Sequence, residues 1–223
     1  MQRKYLEFPV HHVHQVMQRQ GVVGALDPAG CNLDQLRVIR GQLQLGWCSQ
    51  KKTLLLTGPV GREGTSTIAA GLACMFAELN WRTLLIDANL RAPSLHKLFG
   101  LSNQFGLANM LANYSNDLQP QSVLQVEPLS VLVAGPTPEN PAELLSREEP
   151  LSHILDIGVA CNDVVLIDGP CSISPEFQVL AALCAGVMIV AQKGSTHFDA
   201  VRTLKNRVQR AGAQVVGAVL NDH

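Results

Sequence analysis

Hydrophobic positions along the chain fall into short, nearly continuous runs separated by segments of helical spacing. The runs at 53–57, 83–87, 130–134, 163–168, 186–191 and 214–219 predict strands. Three of them, Leu54-Leu-Leu56, Leu84-Leu-Ile86 and Val164-Val-Leu-Ile167, are apolar throughout, as parallel strands buried on both faces are. Between the runs, the spacing predicts helices near 66–79, 94–98, 106–112, 141–156, 175–183 and 197–211. An earlier helix starts at Asn32, a good N-cap, and reaches Leu45 with Leu33, Leu36, Ile39 and Leu43 on one face. Alternation of this kind implies an α/β fold with a doubly wound parallel sheet and flanking helices. Residues 1–31 have no clear period. They read as an extension or linker ahead of one domain at 32–223, and no internal repeat or low-complexity segment interrupts the pattern.

Composition narrows the class. Hydrophobic residues make up 47% of the chain but aromatic residues only 4%, so the core is built from Leu, Val, Ile and Ala. A formal charge of −1 argues against a protein that coats nucleic acid. The six cysteines form no C-x-x-C pair and no metal-ligand spacing, which fits buried reduced thiols in a cytoplasmic protein. No apolar segment follows Met1–Tyr5, so no signal peptide is expected. The longest apolar stretch, Val179–Ala191, is shorter than the ~20 residues of a membrane span. His11, His12 and His14 lack cysteine or carboxylate support and read as a polar segment.

Chemistry concentrates between Thr53 and Arg91. The first strand runs into Gly58-Pro-Val-Gly-Arg-Glu-Gly-Thr-Ser-Thr67, and a helix follows. That is the layout of a phosphate-binding loop, in which glycines let the backbone approach an anion and the helix N-terminus attracts it. The pattern G-x-x-x-x-G-K-[ST] departs at two places: Pro59 stands at the first glycine and Thr65 at the lysine. Gly61, Arg62, Glu63, Gly64, Thr65, Ser66 and Thr67 are the candidate nucleotide contacts, with Ser66 at the hydroxyl position that holds Mg²⁺. Asp87 and Asp168 end two all-apolar strands, where an unpartnered carboxylate is costly. A bound cation would settle that charge, and so would capping of the next helix or turn; Asp168-Gly-Pro170 is good turn chemistry. Arg91 has three candidate roles: a partner of Asp87, a contact to a neighbouring subunit, or a surface arginine. Arg62 either forks onto a phosphate, points to solvent, or pairs with Glu63 or Glu78.

Together these segments resemble the bacterial tyrosine kinases of capsule and exopolysaccharide assembly, and the chain-length-determinant type in particular. Asp34-Gln-Leu-Arg-Val-Ile-Arg40 is similar to that family's E-x-x-R-x-x-R oligomerisation helix, which carries Asp34, Arg37 and Arg40 over as self-association residues. Arg82 to His96 is similar to its D-x-D-x-R second Walker motif, and Ala134 to Leu145 to a further family segment. The Asp168 strand and Gly217-Ala-Val-Leu-Asn221 match as well. The resemblance implies a deviant Walker P-loop ATPase fold, ATP or ADP with Mg²⁺ held by Ser66, Asp87 and Asp168, and Asn221 near the adenine. It names Asp87, Asp168 and Arg91 as catalytic. As partner it implies a membrane polysaccharide co-polymerase that regulates chain length, with the chain cytoplasmic and held at the inner membrane through it.

The departures bear on chemistry. The family loop P-G-E-G-K-S reads Gly61-Arg-Glu-Gly-Thr-Ser66, and the second aspartate of D-x-D-x-R is Asn89. The family's C-terminal tyrosine cluster has no counterpart, and Tyr5 and Tyr114 are the only tyrosines, so slight self-phosphorylation is expected. The leading expectation is a kinase-like regulator with weak or lost nucleotide chemistry. The alternatives are a working tyrosine autokinase or ATPase, and a partition- or positioning-type ATPase.

Overall fold

The computed structural model describes residues 10–14, 33–48, 52–113 and 118–222. In chain order the elements are β1 (Val10–His14), α1 (Leu33–Gly46), β2 (Thr53–Thr57), α2 (Thr65–Ala77), β3 (Thr83–Asp87), α3 (Leu95–Phe99) and α4 (Leu107–Asn113). There follow β4 (Gln121–Ser122), β5 (Leu129–Leu132), α5 (Pro141–Leu145), α6 (Glu148–Cys161) and β6 (Val164–Asp168). The last are α7 (Phe177–Leu183), β7 (Gly186–Gln192), α8 (Phe198–Arg210) and β8 (Val215–Asp222). The strands form one sheet in the order β1-β8-β7-β2-β6-β3-β5-β4. Every pairing is parallel except the short antiparallel β4–β5 pair at one edge.

The apolar runs explain this arrangement. Every residue of β2, β3 and β6 is buried, because helices cover both faces of the centre. On one face, Leu54, Leu56, Leu85 and Leu166 meet α2 and the Leu36–Ile39–Leu43 stripe of α1. On the other, Leu55, Leu84, Val165 and Ile167 meet α4 to α8. α2 is buried on almost all sides, from Ile68 to Ala77, and its Ala/Gly-rich sequence lets it lie close to the sheet. The expected doubly wound α/β sheet with flanking helices is therefore the fold.

Three local expectations change. The single helix expected at 141–156 is two, α5 and α6, with a break at Ser146–Arg147. Pro150 is the reason: its ring would clash with the Ser146 carbonyl in a continuous helix, but it fits the first turn of a new one. Val10–His14, inside the stretch read as an extension, is the edge strand β1, in register from Val10↔Ala218 to His14↔Asp222. The short β4 had no signal. The Asn32 cap, the Leu33 side chain, the three histidine side chains of β1, Tyr5 and Tyr114 lie outside the described residues.

The two arginines of α1 sit in different surroundings. Arg40 turns inward and donates from Nη1 to the Met75 carbonyl of α2 at 2.8 Å. Arg37 is half-exposed, with Asp34 at 2.9 Å and Glu78 at 3.8 Å. The two arginines thus do different work. Arg40→Ala removes a charged hydrogen bond between helices and should lower unfolding free energy by roughly 1–3 kcal/mol. Arg37→Ala should stay within about 0.5 kcal/mol of wild type. Urea titrations followed by circular dichroism compare the two; equal midpoints for both variants would contradict the assignment.

Candidate nucleotide site

β2 delivers the chain into the loop that precedes α2. Gly61, Arg62 and Gly64 there have φ of 104°, 71° and 82°. Left-handed backbone is natural for glycine but costs other L-residues about 1–2 kcal/mol. Arg62 adopts it because its neighbours hold the loop. Glu63 is the holder: its buried carboxylate accepts the N–H groups of Val60 at 2.9 Å and Gly61 at 2.8 Å. That carboxylate lies directly over Gly58, where a Cβ would come within 2.3 Å of Oε2. Glu63 therefore binds its own loop and is not free to meet Arg62. Glu78 faces Arg37. The Arg62 guanidinium is exposed and has no hydrogen-bond or ion-pair partner among the described residues, which removes the expected pairing with Glu63 or Glu78.

The two strand-end aspartates are direct cross-strand neighbours, Asp87↔Asp168, and both are fully buried. Asp87 is satisfied. Its Oδ1 accepts from Asn89 N–H at 3.2 Å, and its Oδ2 accepts from Ser94 and Leu95 N–H at 3.0 Å each. It caps the turn and the start of α3. Burial still raises it to about 6, against the pull of those three N–H groups. Asp168 is different: neither carboxylate oxygen has a hydrogen-bond partner. Burial and then the Asp87 charge push its pKa well up, and the nearby Ser66 hydroxyl offsets part of this without meeting it in full hydrogen-bond geometry. The capping alternative thus accounts for Asp87 and not for Asp168.

Among the described residues, no group of three or more His, Cys, Asp or Glu side chains gathers to hold a metal. That donor count suits Zn²⁺ poorly and Mg²⁺ well. Mg²⁺ needs one or two carboxylates, with phosphate and water completing its shell. An orphaned Asp168 oxygen pair beside Asp87 and Ser66 has the right chemistry.

A cavity of about 320 Å³ lies next to these groups; Ser66 lines it, while Asp87 and Asp168 stay buried behind its lining. The residues Gly61 to Thr67 line its floor, Asn89, Ala92 and Ser94 one wall, and Gly169 and Cys171 the other. The first N–H groups of α2 have no helical acceptor and face this space. Asn221, buried at the end of β8, donates from Nδ2 to the Glu63 carbonyl at 3.0 Å, while its Oδ1 has no partner. It stands behind the loop with one free acceptor. Asp34, Arg37 and Arg40 line no part of the cavity.

Arg91 does not reach Asp87. It makes a two-pronged pair with Glu176, Nε to Oε1 at 2.7 Å and Nη2 to Oε2 at 3.5 Å. Glu176 is missing from the sequence reading because its partner lies 85 residues away. Ser172 is missing too; its N–H donates to the Gly58 carbonyl at 2.9 Å and its hydroxyl to the Pro59 carbonyl at 2.9 Å. An acid ahead of a helix and a serine after a Gly-Pro turn look ordinary locally, and no local signal marks either.

No protein-family model matches the chain. Individual proteins do. It is 33% identical over 207 residues to the tyrosine-protein kinase YwqD of Bacillus subtilis, covering 92% of this chain and 86% of that protein. Longer relatives are matched over only 26–27% of their own length. Among solved structures, the chimerical protein CapA2B2 superposes with a TM-score of 0.86 at 28% identity, over 96% of this chain and 94% of the other. The kinase domain of the Escherichia coli tyrosine kinase ETK gives 0.86 at 25% identity, over 95% and 89%. Sequence and fold agree: the chain belongs to the bacterial tyrosine-protein kinase family.

Proposed function

We propose that the chain is a kinase-like regulatory protein of exopolysaccharide polymerisation, chain length and export, which holds ATP or ADP with Mg²⁺ weakly. The observation that carries this reading is an orphaned, buried Asp168 beside Ser66, which itself lines the cavity over a glycine loop whose lysine position is Thr65. The two strand-end carboxylates remain as candidate cation ligands, while the family loop's lysine charge is missing at Thr65. In this reading Gly61 to Thr67 cradle phosphate, Ser66, Asp87 and Asp168 hold Mg²⁺ and activate chemistry, and Asn221 meets the base. The working partner is a membrane polysaccharide co-polymerase, which holds the chain at the inner face of the membrane; no helix among the described residues is long and apolar enough to cross it. Nucleic acid is not a partner.

Arg62 is the unpaired cation at the cavity, and in this reading it supplies the missing charge. A unit charge about 4 Å from a phosphate is worth roughly 1 kcal/mol in water and nearer 4 kcal/mol at a protein surface. The larger figure is about three decades of affinity. Calorimetry with Mg·ATP should find weak binding by wild type, at least about tenfold weaker binding by Arg62→Ala, and tighter binding by Thr65→Lys. Equal affinities for all three would mean that backbone N–H groups and Mg²⁺ suffice.

The cation reading has a stability signature. Asp87 titrates near 6 in the folded chain, above the ordinary aspartate value. Between about pH 4 and 6 the folded chain therefore keeps a proton that the unfolded chain has lost, and stability of ligand-free protein falls as pH rises through that window. Asp168 is shifted in the same direction. Asp168→Asn should thus stabilise ligand-free protein at pH 7, by roughly 1–3 kcal/mol, and abolish the Mg²⁺-dependent part of ATP binding. A less stable Asp168→Asn that still binds Mg·ATP would remove the metal role.

Self-association belongs to the same proposal, through the outer side of α1. Opposite its core stripe, α1 exposes Val38 at 55% and Leu45 at 90%, near Asp34 and Arg37. Arg40 turns toward α2, so the substitutions that test this interface are placed on Val38 and Leu45. Val38→Glu with Leu45→Glu should convert an oligomer to monomer by light scattering without changing the urea midpoint. An oligomer that survives both substitutions rejects the interface.

A further inference from the structure

The two walls of the cavity come from loops far apart in sequence. One is the β3–α3 loop, which contributes Asn89, Ala92 and Ser94; the other is the β6–α7 loop, which contributes Gly169 and Cys171. Each is tied to a fixed part of the molecule at its base. Asp87 holds the start and end of the first loop through three N–H groups. Ser172 holds the second to the phosphate loop, and the Arg207 guanidinium donates to the Ser172 carbonyl from α8. Among the described residues, the Arg91–Glu176 ion pair joins the two loops.

That pair has an uneven environment. The Glu176 side chain is 1% exposed and the Arg91 side chain 46% exposed. A carboxylate buried to that degree needs its cation, because water cannot replace it. The arginine reaches it from the solvent side. Parting the pair would leave Glu176 buried and uncompensated, which is costly, so the joined arrangement is favoured.

We propose that Glu176 is a positioning residue of the nucleotide cleft: through Arg91 it ties the Asn89–Ser94 wall to the Cys171 wall and sets how slowly a bound nucleotide leaves. This rests on the nucleotide reading given above. Glu176 touches no ligand; it acts through Arg91. The pair joins the two loops without lining the cavity, so it leaves the encounter with nucleotide open and acts on how firmly the loops stay around it.

The test is stopped-flow kinetics with a fluorescent ADP analogue and Mg²⁺ on wild type, Glu176→Gln, Glu176→Asp, Arg91→Ala and the Arg91→Ala/Glu176→Gln pair. Glu176→Gln keeps the shape and removes the charge. It should speed dissociation about tenfold or more while association stays within about twofold. Arg91→Ala should do the same, the double variant should release no faster than either single one, and Glu176→Asp should recover part of the slow release. A merely structural loss would lower the bound fraction or the melting temperature without this split between the two rates. Unchanged dissociation in Glu176→Gln overturns the proposal. If wild type binds no nucleotide, the nucleotide reading fails, and hydrogen exchange on ligand-free protein decides the tie itself. Faster exchange at 88–94 and 171–176 in Glu176→Gln supports it, and identical exchange overturns it.

Discussion

Asp168 is a buried carboxylate with no hydrogen-bond partner, and the surrounding architecture makes sense as the means of tolerating it. It stands at the end of a central strand that is buried on both faces, so water does not reach it. Its nearest neighbour across the sheet is a second buried carboxylate, which makes ionisation harder still. A chain would replace such a group with an apolar one if stability alone mattered. An unpartnered carboxylate of this kind beside the Ser66 hydroxyl has the chemistry of a cation ligand. Asp87 differs only in what surrounds it. Three N–H groups from the following turn and helix receive it, so it does structural work whether or not a metal is bound.

The phosphate loop is stiffened from within. Glu63 occupies donors of its own loop, and Asn221 grips the same residue's carbonyl from β8. This leaves the N–H groups at the start of α2 as the open anion site. It also explains how Arg62 keeps a conformation natural to glycine: the loop shape is set by Glu63, Gly61 and Gly64, and Arg62 follows it. The result is a preformed cradle with its lysine gone and one unpaired guanidinium at the rim. Loss of Lys at Thr65 and of the second aspartate at Asn89 removes one positive and one negative charge.

Much of this was legible in the chain. Two-sided apolar strands, glycine-punctuated loops and helical spacing are local patterns, and they placed most strands and helices within a few residues. They also placed Asp87 and Asp168 at strand ends, because a carboxylate after four or five apolar residues is a local event. Pro150 was a local event as well, and its break of the expected 141–156 helix is a matter of ring geometry that the spacing of apolar residues hides. The motif departures at Arg62, Thr65 and Asn89 were read directly.

Tertiary structure alone decided which of these groups are satisfied. Nothing near Asp168 or Asp87 in sequence tells the orphan from the cap; the difference is where the β3–α3 turn lays its N–H groups. Arg91 found Glu176 across 85 residues and Arg40 found the Met75 carbonyl across 35, so neither partner had a local signature. β1 joined the sheet without any periodicity of its own, since the unpaired edge of β8 supplies the hydrogen bonds that a strand there needs. Sequence determined the elements, because burial on one face or two imposes a period on the residues themselves. Only the folded chain determined the partners, because an ion pair or a cap depends on distance in space, which a one-dimensional pattern does not carry.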